Sequence, residues 1–208
     1  TLFPCTTLFR STGINFCCDG FSVETAAGLT YLSKAVIVST GVYLNSRIII
    51  GKWSQNIGPN GFSPATKLTE SLVRLGFGTR RFKTGTPARI NSRSVNFAKM
   101  QLQTGEDQMP PFSYMHDAVP SKIRDCYLTY STPATKEIIL KNKHRAPIFS
   151  GDISGVGPRY CPSIEDKVIR FADKERHQIF LEPCGLDSGE LYAQGLSTSL
   201  PEDVQMNM

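Results

Sequence analysis

Residues 34–41 read Lys-Ala-Val-Ile-Val-Ser-Thr-Gly, and they restrict the fold more than any other stretch of the chain. Ala35, Val36, Ile37 and Val38 form a short apolar run with no polar alternation, the pattern of a strand buried on both faces of a parallel sheet. Just before it, Phe21–Thr25 alternates, 26–28 reads as a turn, and Leu29–Leu32 returns, as in a β-hairpin. The expected fold class is therefore α/β, with Ala35–Ser39 at its centre.

Helices and further strands follow along the chain. Residues 51–62 are rich in glycine and asparagine and read as a loop. Ser63 and Pro64 suit a helix start, Leu68, Leu72 and Leu75 make its apolar stripe, and Gly76 ends it. Phe77–Phe82 reads as a short strand, 91–125 as irregular, and 109–115 as a packed loop or edge strand. Cys126–Tyr130 reads as a strand and Thr132-Pro133 as the start of a helix reaching about Lys143, with Ile138 and Ile139 buried. The basic residues Lys141, Lys143, His144 and Arg145 complement that helix's C-terminal dipole. His177–Pro183 reads as a strand, Gly185–Gly195 as a loop, and Pro201 onward as a final helix.

The chemistry concentrates in Gly155–Phe171, where a glycine-rich loop leads through Cys161 and Pro162 toward a helix. Pro162 suits the first helical position, which puts Cys161 at or beside the N-cap. Glu165 and Asp166 suit the first turn, and Ile164, Val168 and Phe171 have the spacing of a buried stripe. A cysteine at a helix N-terminus, with Arg159 and Lys167 close in sequence, is placed for thiolate chemistry. Open N–H groups in that first turn would receive an anion. The alternative is a buried structural cysteine before an ordinary helix.

Composition narrows the function classes. The 208 residues carry a formal net charge of +5, with 40% hydrophobic and 20% charged residues, as in ordinary globular proteins. The mild basicity is compatible with a nucleic-acid partner and with a plain solvated surface. Six cysteines, at 5, 17, 18, 126, 161 and 184, show no Cys-x-x-Cys spacing, and there are only three histidines, so no zinc site is expected. Reduced thiols and a cytoplasmic location are expected, and no apolar run reaches membrane-spanning length. Thr1 opens the chain and a helix begins near its last residue, so an internal piece of a longer protein is expected.

Lys83-Thr84-Gly85-Thr86-Pro87-Ala88-Arg89 is a loop with hydroxyls, a glycine and flanking cations. It is either a solvated turn or a phosphate contact through Lys83, Thr84, Thr86 and Arg89, and it is not a P-loop. This heptad and the seventeen-residue run Gly155–Phe171 together closely resemble two hallmarks of the MnmG (GidA) family, FAD-dependent enzymes that modify the wobble uridine of certain tRNAs. The resemblance extends from about Val36 to Met208 and covers only part of a family member's length. Cys184 departs from the family, which usually has glutamate there, and no catalytic role is assigned to it.

The resemblance implies a two-dinucleotide-binding, glutathione-reductase-like flavoprotein fold with an inserted α/β lobe. Residues 1–83 would be part of the FAD-binding domain, 84–170 the inserted lobe with nucleotide- and tRNA-facing loops, and 171–208 the return toward the first domain. Thr40 and Gly41 would approach FAD. The stretch Gly157, Pro158, Arg159, Tyr160, Cys161, Pro162, Ser163, Ile164, Glu165, Asp166, Lys167, Val168, Ile169, Arg170 and Phe171 would be the NAD segment, with Cys161 the catalytic thiol. The implied reaction adds an aminomethyl or carboxymethylaminomethyl group to C5 of uridine 34. It uses FAD, NADH and 5,10-methylenetetrahydrofolate, and it works with the GTPase MnmE in a full-length homodimer. The present chain alone is expected to be inactive. Two alternatives are a folate- and FAD-dependent tRNA uridine methyltransferase of the TrmFO type, and a non-catalytic RNA- or partner-binding piece.

Overall fold

The computed structural model describes residues 10–17, 19–106, 109–119, 124–153, 155, 157 and 161–208. They form two compact units, 1–81 and 82–208. In the first unit, β1 (Ser11–Cys17), β2 (Gly20–Thr25) and β3 (Thr30–Ser33) make an antiparallel meander. Gly28, at φ +82°, supplies the left-handed residue that the β2–β3 turn needs. A small hairpin, β4 (Ile48–Ile50) and β5 (Trp53–Gln55), lies partly within the stretch expected to be all loop. Helix α1 (Thr66–Arg74) covers the meander, burying Leu68 and Leu72 against Ile14 and Val23. Its fully buried Ser71 accepts the Ile14 N–H at 2.8 Å and donates to the Ile14 carbonyl at 2.9 Å. One hydroxyl thus satisfies both backbone groups of a strand residue that would otherwise be buried unpaired.

Three expectations fail in and just beyond this unit. Ala35–Ser39 forms no strand; Ile37 is 92% and Val38 46% exposed. A parallel strand needs neighbours for its N–H and C=O groups, and the described residues pair nothing with this run. Helix α1 starts at Thr66, with Ala65 as N-cap, rather than at Ser63-Pro64. The Ala65 N–H is held by the Tyr43 carbonyl at 2.7 Å, which keeps that residue out of the helix. Phe77–Phe82 is likewise no strand beyond a single bridge at Phe82.

The second unit is built on a five-stranded antiparallel sheet ordered β6-β10-β9-β8-β7, from β6 (Arg89–Asn91), β7 (Gln101–Gln103), β8 (Cys126–Tyr130), β9 (Gln178–Pro183) and β10 (Glu190–Gln194). Strands β9 and β10, from 171–208, thus share one sheet with β6, β7 and β8, from 84–170. Strand β10 lies inside the presumed loop 185–195. Ile179, Leu181, Leu191 and Ala193 alternate onto one face and bury together. A second core joins α2 (Pro133–Asn142), α4 (Ile164–Arg170) and α5 (Glu202–Gln205) through Ile139, Ile164, Val168, Leu200 and Val204, with a short α3 (Pro147–Ser150) nearby. Leu196 touches both cores. Helix α2 opens as read from sequence: Thr132 and Thr135 form a reciprocal capping box on either side of Pro133, and Ile139 is buried, although Ile138 is only partly so. The loop 109–115 is not packed: Phe112, Tyr114 and Met115 are exposed. Helix and sheet together bear out the α/β class, while every ladder among the described residues is antiparallel.

Candidate active site

The two motifs singled out in the sequence meet in the second unit, although they lie 76 residues apart. Gly85 donates its backbone N–H to the Cys161 sulfur at 3.5 Å, and the same sulfur lies 4.0 Å from the Gly85 carbonyl oxygen. Lys83 Nζ donates to Asp166 Oδ2 at 3.0 Å, a second tie between the same segments. Gly157 lies against the Lys83 stem, where an added Cβ would come within 2.8 Å of Lys83 Cε. Cys161 is half-buried, so the thiol is both held and reachable.

Local sequence explains the approach to α4. Its N-cap is Ser163, not Cys161: the Ser163 hydroxyl accepts the Asp166 N–H at 3.2 Å, and Asp166 Oδ2 accepts the Ser163 N–H at 3.3 Å. This reciprocal box prevails over Pro162 as the helix start. The Ser-x-x-Asp spacing at 163–166 was the signal available for it. The structure also fills the first turn that was expected to receive an anion. Ile164 N–H donates to the Ser197 carbonyl at 2.7 Å, Asp166 N–H to Ser163, and both acids of the turn are buried. The stripe holds for Ile164 and Val168, while Phe171 is exposed.

Asp166 explains how a buried carboxylate is tolerated. Burial pushes its pKa up, but the Lys83 hydrogen bond and charge, with the Ser163 bonds, outweigh that and hold it below the usual carboxylate range. Lys167 does not face the thiol; its ammonium donates to the Gly195 carbonyl at 3.0 Å, and burial lowers its pKa. Arg159, with Pro158 and Tyr160, lies outside the described residues. Glu165 is 0% exposed; its Oε1 accepts Ser199 N–H at 2.8 Å and Ser199 Oγ at 2.9 Å.

Of the expected phosphate contacts, Thr84 and Thr86 are exposed. Arg89 is engaged internally: it donates to Thr86 Oγ1 at 3.1 Å, pairs with Glu190 at 3.1 Å and sits 4.5 Å above the Tyr192 ring. The basic tail of α2 is also partly spent, Lys141 on Glu137 and Arg145 on Asp203 in a two-pronged pair. Thr40 and Gly41 belong to the first unit, where Gly41 at φ +53° forms a tight turn closed by Tyr43 N–H on the Thr40 carbonyl at 3.1 Å. A Cβ on Gly41 would meet nothing within 4 Å, so the turn's geometry rather than crowding requires glycine there.

The titrating groups give a stability profile. Burial, then Lys167 and Lys136, lowers the His177 pKa below its ordinary 6.5. The unfolded chain then takes up that proton first, so stability is lost as pH falls below 6.5. Asp166 is also depressed, so its contribution is present above its ordinary 3.8 and is lost as pH falls through its lower folded value. Thermal melts against pH are expected to fall in two acid steps, and His177→Gln is expected to remove the upper one only. A melt profile flat between pH 7 and 5 would contradict this.

Fold and site together define an α/β protein with a thiol clamped between a glycine loop and the approach to a capped helix. Comparison with known proteins sharpens that class. The family model described as "Glucose inhibited division protein A" matches residues 10–208, and the chain belongs to this GidA family. The match reaches further toward the N-terminus than the motifs suggested. The tRNA uridine 5-carboxymethylaminomethyl modification enzyme MnmG of Caldicellulosiruptor saccharolyticus is 55% identical over 186 residues, 89% of this chain and 30% of that protein. The MnmG of Alkaliphilus metalliredigens is 52% identical over 183 residues, 88% of this chain and 29% of its own. A crystal structure of Aquifex aeolicus GidA superposes with a TM-score of 0.80 at 44% identity, covering 95% of this chain and 34% of that one. The chain thus spans about a third or less of the proteins it matches. Among the described residues no helix is long and apolar enough to cross a membrane, and no group of three or more His, Cys, Asp or Glu is placed to hold a metal ion.

Proposed function

We propose that this chain is the part of a tRNA-modifying enzyme that carries its reactive thiol, Cys161, for addition of an aminomethyl or carboxymethylaminomethyl group to C5 of wobble uridine 34. The observation that carries the reading is the bond from Gly85 N–H to Cys161, which joins the two hallmark segments at one sulfur. The name shared by the MnmG relatives supports this reaction over uridine methylation. Uracil C5 is a weak nucleophile, and thiolate addition at C6 cures that. The S–C6 bond forms and the C5–C6 π pair moves onto C5 and O4. C5 then adds to the carbon of a methylene iminium, formed when an amine displaces both folate nitrogens from the one-carbon unit, and the iminium π pair goes to the amine nitrogen. Loss of the C5 proton and departure of the thiolate then restore the ring.

FAD, NADH and 5,10-methylenetetrahydrofolate are the proposed cofactors, tRNA the substrate and MnmE the partner of a full-length homodimer. Thr40 and Gly41 are the proposed FAD contacts of the first unit. In support, a Cβ at Gly41 would meet nothing within 4 Å, which leaves room beside that backbone, and the exposed apolar residues Ile37 and Val38 lead into it. The flavin, when bound, would supply the redox chemistry that works with the folate to make the one-carbon unit available at the site. Within the proposed NAD segment, Ile164, Glu165, Asp166 and Val168 are buried and act as support. Contacts fall instead to Cys161, Pro162 and Lys167 and to the exposed Ile169, Arg170 and Phe171. Thr84 and Thr86 are the exposed candidates for RNA phosphate.

The test is nucleoside analysis of tRNA incubated with the full-length protein, MnmE, the three cofactors and an amine donor. Modified uridine 34 is the expected product. Unmodified or simply C5-methylated uridine would overturn the reading.

A further inference from the structure

The floor beneath the thiol-binding loop is built from a part of the chain neither motif includes. Gly85 packs so closely on Ser197 that a Cβ at position 85 would sit 3.0 Å from the Ser197 Cβ. Residues 197–199 are in turn fixed by two consecutive residues of α4. Ile164 N–H donates to the Ser197 carbonyl at 2.7 Å, and Glu165 Oε1 takes both the N–H and the hydroxyl of Ser199. Glu165 is fully buried, and its other oxygen, Oε2, has no hydrogen-bond partner among the described residues. A buried carboxylate with one unpaired oxygen is a poor stabilising device, because its desolvation is only partly compensated. Its arrangement makes sense as a clamp.

We propose that Glu165 is a positioning residue. By holding residues 197–199 it fixes the floor under Gly85, and so aims the Gly85 N–H at the Cys161 sulfur. The geometry forms a closed loop: α4 carries Glu165, Glu165 holds 199, 197 backs Gly85, and Gly85 meets the cysteine three residues before α4. The inference rests on Cys161 being the reactive thiol. It deepens that reading by naming a residue that acts on the sulfur without touching it.

The experiment measures iodoacetamide labelling of Cys161 in the full-length protein, by peptide mass spectrometry at neutral pH. The exposed Cys184 in the same molecule is the internal reference. Glu165→Ala is expected to slow Cys161 relative to Cys184 by about fivefold, the order set by one misaligned hydrogen bond. Glu165→Gln keeps an acceptor for Ser199 and is expected to restore the wild-type ratio. Where Glu165→Ala does not fold, Ser197→Gly carries the test by removing the backing of Gly85, with the same slowing expected. An unchanged or raised ratio in the variant that carries the test would overturn the proposal. So would a Glu165→Gln as slow as the alanine variant, since charge rather than the clamp would then be the cause. Failure of the catalytic reading is separate: it would appear as retained tRNA modification in Cys161→Ser, whatever the labelling ratios.

Discussion

Cys161→Ser in the full-length protein is expected to abolish modification of uridine 34 while leaving the fold unchanged. A serine hydroxyl is not ionised near neutral pH and is a far poorer nucleophile for C6 of a uracil. Removal of a covalent nucleophile commonly costs a thousandfold or more, about 4 kcal/mol in barrier height. The fold is indifferent for a reason the structure supplies. Cys161 lies outside α4, whose cap is Ser163, and its described hydrogen bonding is the weak contact with Gly85. Serine accepts the same N–H, so the stability change should stay within about 1 kcal/mol, as at sites away from core and caps. Product formation and a thermal melt on the same preparation check both halves. Modification at the wild-type rate would make the thiol structural.

Ile164→Ala is expected to be the most destabilising single truncation near the site. Ile164 is 0% exposed and packs with Ile139, Val168, Leu200 and Val204. It is the first residue of α4, where the Ser163–Asp166 box and the bond to the Ser197 carbonyl hold the backbone in place. The site cannot collapse to fill the space, so the cost should lie toward the upper part of the usual range, about 4 kcal/mol. For a chain of this size that lowers the melting temperature by about 10 °C. Phe171→Ala, at the exposed end of the expected stripe, should cost under about 0.5 kcal/mol. Urea unfolding of the two variants checks the contrast. A loss below about 1 kcal/mol for Ile164→Ala would show that the second core is not packed as described.

Where a rule of local chemistry acts alone, the sequence was a sufficient guide. Thr132-Pro133 opens α2, the alternation of 21–25 gives β2, and Gly76 ends α1 at φ +91°. The meeting of the loop at 83–89 with the cysteine run was legible only as two motifs of one family; their contact is tertiary. Three misreadings share a cause, which is competition between signals. Pro162 and Ser163 both announce a helix start, and the reciprocal box decides for Ser163. Ala35–Val38 has strand composition, but a strand exists only with partners, and the described residues supply none. Strand β10 hides between Gly185 and Gly195 because only Leu191 and Ala193 carry its alternation; pairing with both β6 and β9 settles it. Glu165 and Ser199 left no local signal, since their bond spans 34 residues.

The most direct test of the central claim is the labelling rate of Cys161 against Cys126, site by site, from pH 6 to 9. Burial, then Glu182 and Asp125, pushes the Cys126 thiol up, so it stays protonated and slow near neutral pH. Cys161 is half-buried and meets a backbone N–H donor, so it is expected to react well ahead of Cys126 throughout the neutral range. Equal rates for the two thiols near pH 7 would contradict the assignment of Cys161 as the reactive centre.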